Sequence, residues 1–133
     1  WGDTQRINRW RRLMQAREVH TRDSFIEAQL DTVSFSARTL STLMGADLWS
    51  TGSAAPEGTP ERRRQIALDL LFAWNGEMNE HLPEPLIYSA WARAFQQRLI
   101  RDELGPLAEE FTHVAPVFIE RVFRDIDGAR ICS

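Results

Sequence analysis

Apolar residues recur every three or four positions along most of this chain, which is the spacing of one face of an α-helix. The first such face is made of Ile7, Trp10, Leu13 and Met14. Asp3 or Thr4 stands where a side-chain cap for that helix is expected. The pattern predicts a first helix over residues 3–18.

A longer run of the same spacing follows Thr21, which is placed to cap its start. Its apolar members are Ile26, Leu30, Val33, Ala37, Leu40 and Met44. Gly45 stands where a glycine commonly ends a helix in the left-handed conformation. The pattern therefore predicts one continuous second helix over residues 22–44.

Small, polar and proline residues then predict an exposed loop over residues 45–59. Thr59 as the cap and Pro60 at the first helical position, where its missing N–H costs nothing, predict a helix over residues 60–75. Asn75-Gly76 is a turn-forming pair that ends it.

Two more helices are predicted in the last third of the chain. Pro85 restarts the helical spacing, which continues over residues 85–104 to the stop signal Leu104-Gly105-Pro106. A shorter helix follows over residues 116–126. No alternating strand pattern of useful length is present, so the sequence predicts an all-α chain of about five helices in one segment, residues 1–133.

Trp74 and Trp91 stand on either side of the Asn75-Gly76 turn. Large aromatic rings at helical spacing are typical of packed interfaces between helices. We expect both rings to pack between the two helices that the turn joins. Their role would then be structural, not chemical.

Length and composition limit the possible functions. A chain of 133 residues with 43% hydrophobic residues has room for one core and no second domain. Its apolar runs are too short for a membrane span, and a net charge of -3 gives no general attraction to nucleic acid. The sequence therefore predicts neither a membrane nor a nucleic-acid partner.

Three groups of residues resemble metal ligands only superficially. Glu110 and His113 have the Glu-x-x-His spacing of di-iron helix bundles, but the motif occurs once and those sites need two copies. The others are the cluster Glu77, Glu80 and His81, and the calcium-loop-like run from Asp125 to Asp127 and Gly128. Neither has a complete ligand set, so polar surface and an Asp-Gly turn are the favoured interpretations.

Two further groups raise the question of binding or catalysis. Arginines surround Trp10 near the start of the chain and could contact phosphates, namely Arg6, Arg9, Arg11, Arg12 and Arg17. Nearby carboxylates favour a solvated face or a contact with other protein instead. Cys132 could act as a nucleophile with His113 as its base only if the fold joined them. The sequence therefore predicts no catalytic, cofactor-binding or metal-binding residue in this chain.

The order of several motifs resembles the penicillin acylase (penicillin amidase) family. The residues that match its patterns are Asp3, Arg6, Ile7, Thr21, Ser24, Gln29, Asp31, Ser34, Ala37, Arg38, Leu71, Trp74 and Gly76, followed by a helix reading LIYSAWARAFQQRLIRDELG. Asn75 departs from the aspartate that is usual before Gly76 but remains a turn former. The resemblance covers most of residues 1–105 and becomes thin near residues 50–60 and beyond Gly105.

The resemblance implies that this chain is an internal helical segment of the large (beta) subunit of an N-terminal-nucleophile hydrolase with an αββα sandwich. We call that larger enzyme the parent amidase. It would hydrolyse a linear amide, such as the acyl side chain of a β-lactam or a related N-acyl compound, with an N-terminal serine that this chain does not contain. Trp1 cannot take that role.

The same resemblance implies the remaining expectations. The partners would be the small subunit and the catalytic sandwich of the parent amidase, a structural calcium ion would lie outside this segment, and the location would be the periplasm. The start at Trp1 and the end at Ser133, without an obvious closing element, also lead us to expect an excised piece.

A free-standing helical interaction module without catalytic activity is the alternative. The two hypotheses differ in what they expect of the surface. A piece of a larger enzyme should leave apolar helix faces bare and tend to self-associate, whereas an independent module should be monomeric or form one symmetric dimer.

Overall fold

The structure is a computed structural model that describes residues 5–48, 53–111 and 113–126. These residues contain six α-helices and one short 3-10 helix. The helices are α1 (Gln5–Gln15), α2 (Arg22–Leu30), α3 (Phe35–Leu48), α4 (Pro60–Ala73), α5 (Glu84–Leu104) and α6 (Pro116–Phe123), with the 3-10 helix Gly105–Glu110 after α5. No strand occurs in these ranges, where two residues form only an isolated bridge. The predicted all-α class is confirmed.

The single helix predicted over residues 22–44 is wrong, because the chain leaves the helical conformation between Leu30 and Phe35. Ser34 explains the new start, since its Oγ accepts a hydrogen bond from the backbone N–H of Ala37 at 3.3 Å. The Ser34 N–H itself donates to the carbonyl of Gly76 at 2.7 Å. The N–H groups of Ser34 and Ala37, which would bond within a continuous helix, thus bond to Gly76 and to the Ser34 side chain instead.

Gly45 does not end the helix, and the loop predicted over residues 45–59 begins later, because α3 continues to Leu48. A side chain at Gly45 would collide with the ring of Phe72 in α4. The glycine therefore permits a close approach of α3 and α4, which is a packing role and not a capping role.

The starts of α2 and α4 have the caps that the sequence predicts. Thr21 Oγ1 accepts from the Ser24 N–H at 3.3 Å, and the Ser24 hydroxyl bonds back to the Thr21 backbone. Thr59 Oγ1 accepts from the Arg62 N–H at 3.2 Å. The proposed caps of α1, Asp3 and Thr4, lie outside the described residues.

The turn after α4 also has the expected chemistry. Gly76 adopts a φ of 88°, which is in the left-handed region, and Asn75 Oδ1 accepts from the Glu77 N–H at 2.8 Å. Glu77 then forms the isolated antiparallel bridge with Val33. The turn is therefore fixed to the chain between α2 and α3.

Among the described residues, the hydrophobic core has two clusters, and α3 and α5 contribute to both. One consists of Ala37, Leu71 and Tyr88, where α3, α4 and α5 meet. The other consists of Leu40, Leu99, Ile119 and Val122, where α3, α5 and α6 meet. Helices α3 and α5 are thus the central elements of the packing.

Aromatic rings connect the two clusters. Tyr88 lies between the tryptophans that the sequence analysis singled out, with ring centroids 5.6 Å from Trp74 and 6.0 Å from Trp91. Trp91 stacks on Phe95 at 5.6 Å. Both tryptophans are half-buried, and Trp74 Nε1 donates to the Glu77 carbonyl at 2.9 Å. They pack against the core as expected, while the buried ring between them is Tyr88.

Candidate functional site

Helix α1 carries four of the arginines that could form a phosphate-binding patch, and it buries none of its own residues. They are Arg6, Arg9, Arg11 and Arg12, with Arg17 just beyond the helix. Because no residue of α1 is fully buried, polar contacts of its arginines form part of its attachment to the rest of the chain. Those contacts decide whether the arginines remain available to a ligand.

Arg9 forms the best-defined of these contacts, a two-point ion pair with Asp31. Its Nε and Nη2 lie 2.9 Å and 2.5 Å from the two carboxylate oxygens, and both side chains are mostly shielded from solvent. The hydrogen bonds from Arg9 lower the pKa of Asp31, although burial opposes that shift. The same hydrogen bonds raise the pKa of Arg9. Both groups are therefore charged at neutral pH.

Arg6 adds a hydrogen bond from Nη1 to the Asp31 carbonyl at 3.3 Å. Arg17 pairs with Glu27 at 2.6 Å on an exposed surface. Arg12 places its guanidinium 3.8 Å from the centre of the Phe35 ring. Four of the five arginines thus contact other residues of this chain, which fits the favoured interpretation of a structural face.

The Glu110 and His113 pair does not lie on one helical face. Glu110 is the last residue of the 3-10 helix, and His113 lies beyond it outside any helix. Both side chains are exposed. The geometry that a di-iron bundle requires is therefore missing at these two residues.

In the second candidate metal group, Glu77 is half-buried and forms the isolated bridge with Val33, whereas Glu80 and His81 are open to solvent. Glu80 and His81 lie 3.7 Å apart with almost complete exposure, next to the turn that follows α4. In the described ranges, no group of three or more histidine, cysteine, aspartate or glutamate side chains could hold a metal ion. Asp127, Gly128 and Cys132 lie outside those ranges, so the turn and nucleophile interpretations at those positions stay predictions.

His20 and Tyr88, which lie outside the predicted sites, also make defined contacts in the structure. His20 lies between α1 and α2, with Nε2 2.8 Å from the Met14 carbonyl and Nδ1 3.3 Å from Ser24 Oγ. Burial raises the pKa of Tyr88 to about 12, against a hydrogen bond with Ser36 that lowers it. A phenol with a raised pKa is neutral at physiological pH. His20 thus connects the end of α1 with the start of α2, and Tyr88 belongs to the core cluster of α3, α4 and α5.

None of the helices that the structure describes is long and apolar enough to cross a membrane. Among known families, a model described as penicillin amidase matches residues 1–130. Comparison with curated proteins and with solved structures found no significant match.

Proposed function

This chain belongs to the penicillin amidase family, and from that premise we propose that it is a helical structural portion of an amidase that hydrolyses a linear amide. The family match carries the proposal, because it extends over residues 1–130. The reaction class comes from the family and not from any side chain of the described residues. On this proposal, the role of the helices is to support the catalytic part of the amidase.

The distribution of apolar side chains supports this role. Several large apolar residues of the helices and their connections face solvent, with exposed fractions of 61% for Ile7, 77% for Val19, 74% for Leu30 and 74% for Leu86. Single exposed apolar residues are common on protein surfaces, and a piece of a larger enzyme would leave such residues bare where further protein covers them. The catalytic sandwich and small subunit of the parent amidase are the proposed cover.

In the proposed mechanism, an N-terminal serine outside this chain attacks the amide carbonyl, and its own α-amino group accepts the proton. The amine leaves with a proton, and water then releases the acid from the acyl-enzyme. The amide would be the acyl side chain of a β-lactam or a related N-acyl compound. The enzyme would hold its structural calcium ion elsewhere and act in the periplasm.

The test is the intact mass and N-terminal sequence of the native polypeptide that contains these residues, together with an assay of that polypeptide for release of an amine from N-acyl anilides. We expect a polypeptide several times larger than 15.4 kDa that begins with serine, threonine or cysteine and hydrolyses the anilide. Replacing that first residue by alanine should abolish hydrolysis. The control is Arg98→Gln, because Arg98 is exposed on α5.

A native polypeptide that runs from Trp1 at about 15.4 kDa and releases no amine would overturn the proposal. The same residues would then form a free-standing interaction module. Its exposed apolar side chains would be expected to mediate one defined association, which sedimentation at several concentrations would reveal.

A further inference from the structure

A cavity of about 280 Å³ lies between α1, α3 and the end of α6, and arginines dominate its lining. Four arginines contribute, namely Arg9, Arg12, Arg38 and Arg124, and among the residues that the structure describes no aspartate or glutamate lines the cavity. The volume is far above the roughly 10–15 Å³ that a single water molecule needs. A small solute can therefore enter among these guanidinium groups.

Two of the four charges are already compensated. Arg9 pairs with Asp31, and Arg124 Nε lies 2.9 Å from Glu120 Oε1. Arg12 contacts the Phe35 ring, which attracts a cation but does not neutralise it. Neither Arg12 nor Arg38 has a carboxylate partner in the part of the chain that the structure describes. Counted over the described residues, the lining thus has an excess of about two positive charges.

Contacts with neighbouring residues restrict both uncompensated arginines. The Phe35 ring lies under the Arg12 guanidinium. A Cβ atom added at Gly76 would lie 2.6 Å from the Cγ atom of Arg38, so the Arg38 stem packs against this glycine. Because these stems are packed, less side-chain freedom is lost when the guanidinium groups bind a ligand. Thr39 adds a hydroxyl to the same lining.

From this charge balance and lining, we propose that the cavity binds a small oxyanion carrying two negative charges, such as inorganic phosphate or sulfate. Guanidinium groups recognise phosphate and sulfate oxygens through paired N–H donors, which is the chemistry that Arg12 and Arg38 present here. The charge of a dianion matches the uncompensated charge of the lining. This inference does not depend on the amidase proposal.

The test is isothermal titration calorimetry of the complete polypeptide that contains these residues, with sodium phosphate, sodium sulfate and sodium chloride at matched ionic strength. We expect phosphate and sulfate to bind with low-millimolar Kd values at one site and chloride to give no saturable heat. Arg38→Gln and Arg12→Gln should each weaken the binding about tenfold, the loss expected for one charge-assisted hydrogen bond. Thr39→Val should cause a smaller loss while keeping the side-chain volume.

The control is Arg98→Gln, which removes one positive charge from an exposed position on α5 outside the cavity. Its Kd should equal that of the unchanged protein. Two results would overturn the proposal. One is the absence of saturable phosphate or sulfate binding, which is expected if a carboxylate from another part of the polypeptide occupies the cavity. The second result is an equal weakening of binding by all three arginine substitutions. The second result would show that net charge, not this cavity, attracts the anion.

Discussion

Helices α3, α4 and α5 are joined by apolar packing, whereas α1 is joined to the rest by polar contacts. Ala37 in the first region is completely buried, and Tyr88 is 8% exposed. Helix α1 has no buried residue, and its contacts include the Arg9–Asp31 ion pair and the Arg12–Phe35 contact. Apolar packing responds little to pH or salt, while ion pairs respond to both. The two regions should therefore lose stability under different conditions.

Tyr88→Ala should have the largest effect, because it removes the buried ring between Trp74 and Trp91. We expect the free energy of unfolding to fall by about 3–5 kcal/mol, as for other large-to-alanine changes in a core. Urea unfolding followed by tryptophan fluorescence would measure it. The control Tyr88→Phe keeps the ring and loses only the hydroxyl, so a fall of about 1 kcal/mol is expected. Equal losses in both variants would refute the packing role.

Gly76→Ala should have the next largest effect, because Gly76 packs against Ser34 and Arg38 at the start of α3. An alanine there must adopt a positive φ and would crowd the Arg38 stem and the Ser34 carbonyl. We expect a loss of about 2–3 kcal/mol in the free energy of unfolding. Gly58→Ala is the matched control, since Gly58 also has a positive φ but nothing within 4 Å of the added atom. Its cost should be only about 1 kcal/mol. If Gly58→Ala loses as much unfolding free energy as Gly76→Ala, crowding does not explain the effect at Gly76.

A double-mutant cycle with Arg9→Ala and Asp31→Ala would measure the polar attachment of α1. The side chains are only 22% and 14% exposed, so solvent screens the pair incompletely. We expect a coupling free energy of about 1–2 kcal/mol from thermal or urea unfolding. A coupling indistinguishable from zero would mean that this ion pair does not hold α1.

The dependence of the unfolding free energy on acidic pH should also reflect the Arg9–Asp31 ion pair. Because the pKa of Asp31 is lower in the folded chain than its ordinary value of 3.8, its contribution is complete above that value. It is lost as the pH falls through the lower folded pKa. Asp31→Asn should therefore show a smaller loss of unfolding free energy on acidification, and Asp23→Asn is the control. An unchanged acid profile in Asp31→Asn would contradict the assignment.

Arg17→Gln should have the smallest effect. The Arg17–Glu27 pair is 50% and 64% exposed, so both partners are well hydrated when separated. We expect a change of about 0.5 kcal/mol or less. A loss as large as that of Arg9→Ala would show that exposure is a poor guide to the strength of these pairs.

Local signals in the sequence were sufficient for most of the helices. Thr21, Thr59 and the Asn75-Gly76 turn act within a few residues of their own positions, so the sequence reveals them. The break between α2 and α3 was missed because the apolar spacing continues across it. Ser34 was a readable cap signal, but its N–H contact with Gly76 depends on a distant segment. Gly45 was misread for the same reason, since its partner is Phe72 in another helix.

The candidate sites were predictable only in part. Family resemblance from the order of motifs agrees with the match over residues 1–130. The arginines near Trp10 were visible in the sequence, but their partners were not. Asp31, Glu27 and Phe35 are brought to them by tertiary packing. Arg38 and Arg124 come from separate helical regions, so spacing along the chain could not place them around one cavity.

The short pairing between residues 32–34 and residues 76–78 has a consequence for the order of folding. Its backbone hydrogen bonds, Ser34 N–H to Gly76 and Met78 N–H to Thr32, join segments separated by all of α3 and α4. Closing so large a loop costs chain entropy before any bond is gained. Helices can form from local contacts much sooner. We therefore expect this junction to form late, so that substitutions there accelerate unfolding more than they slow folding.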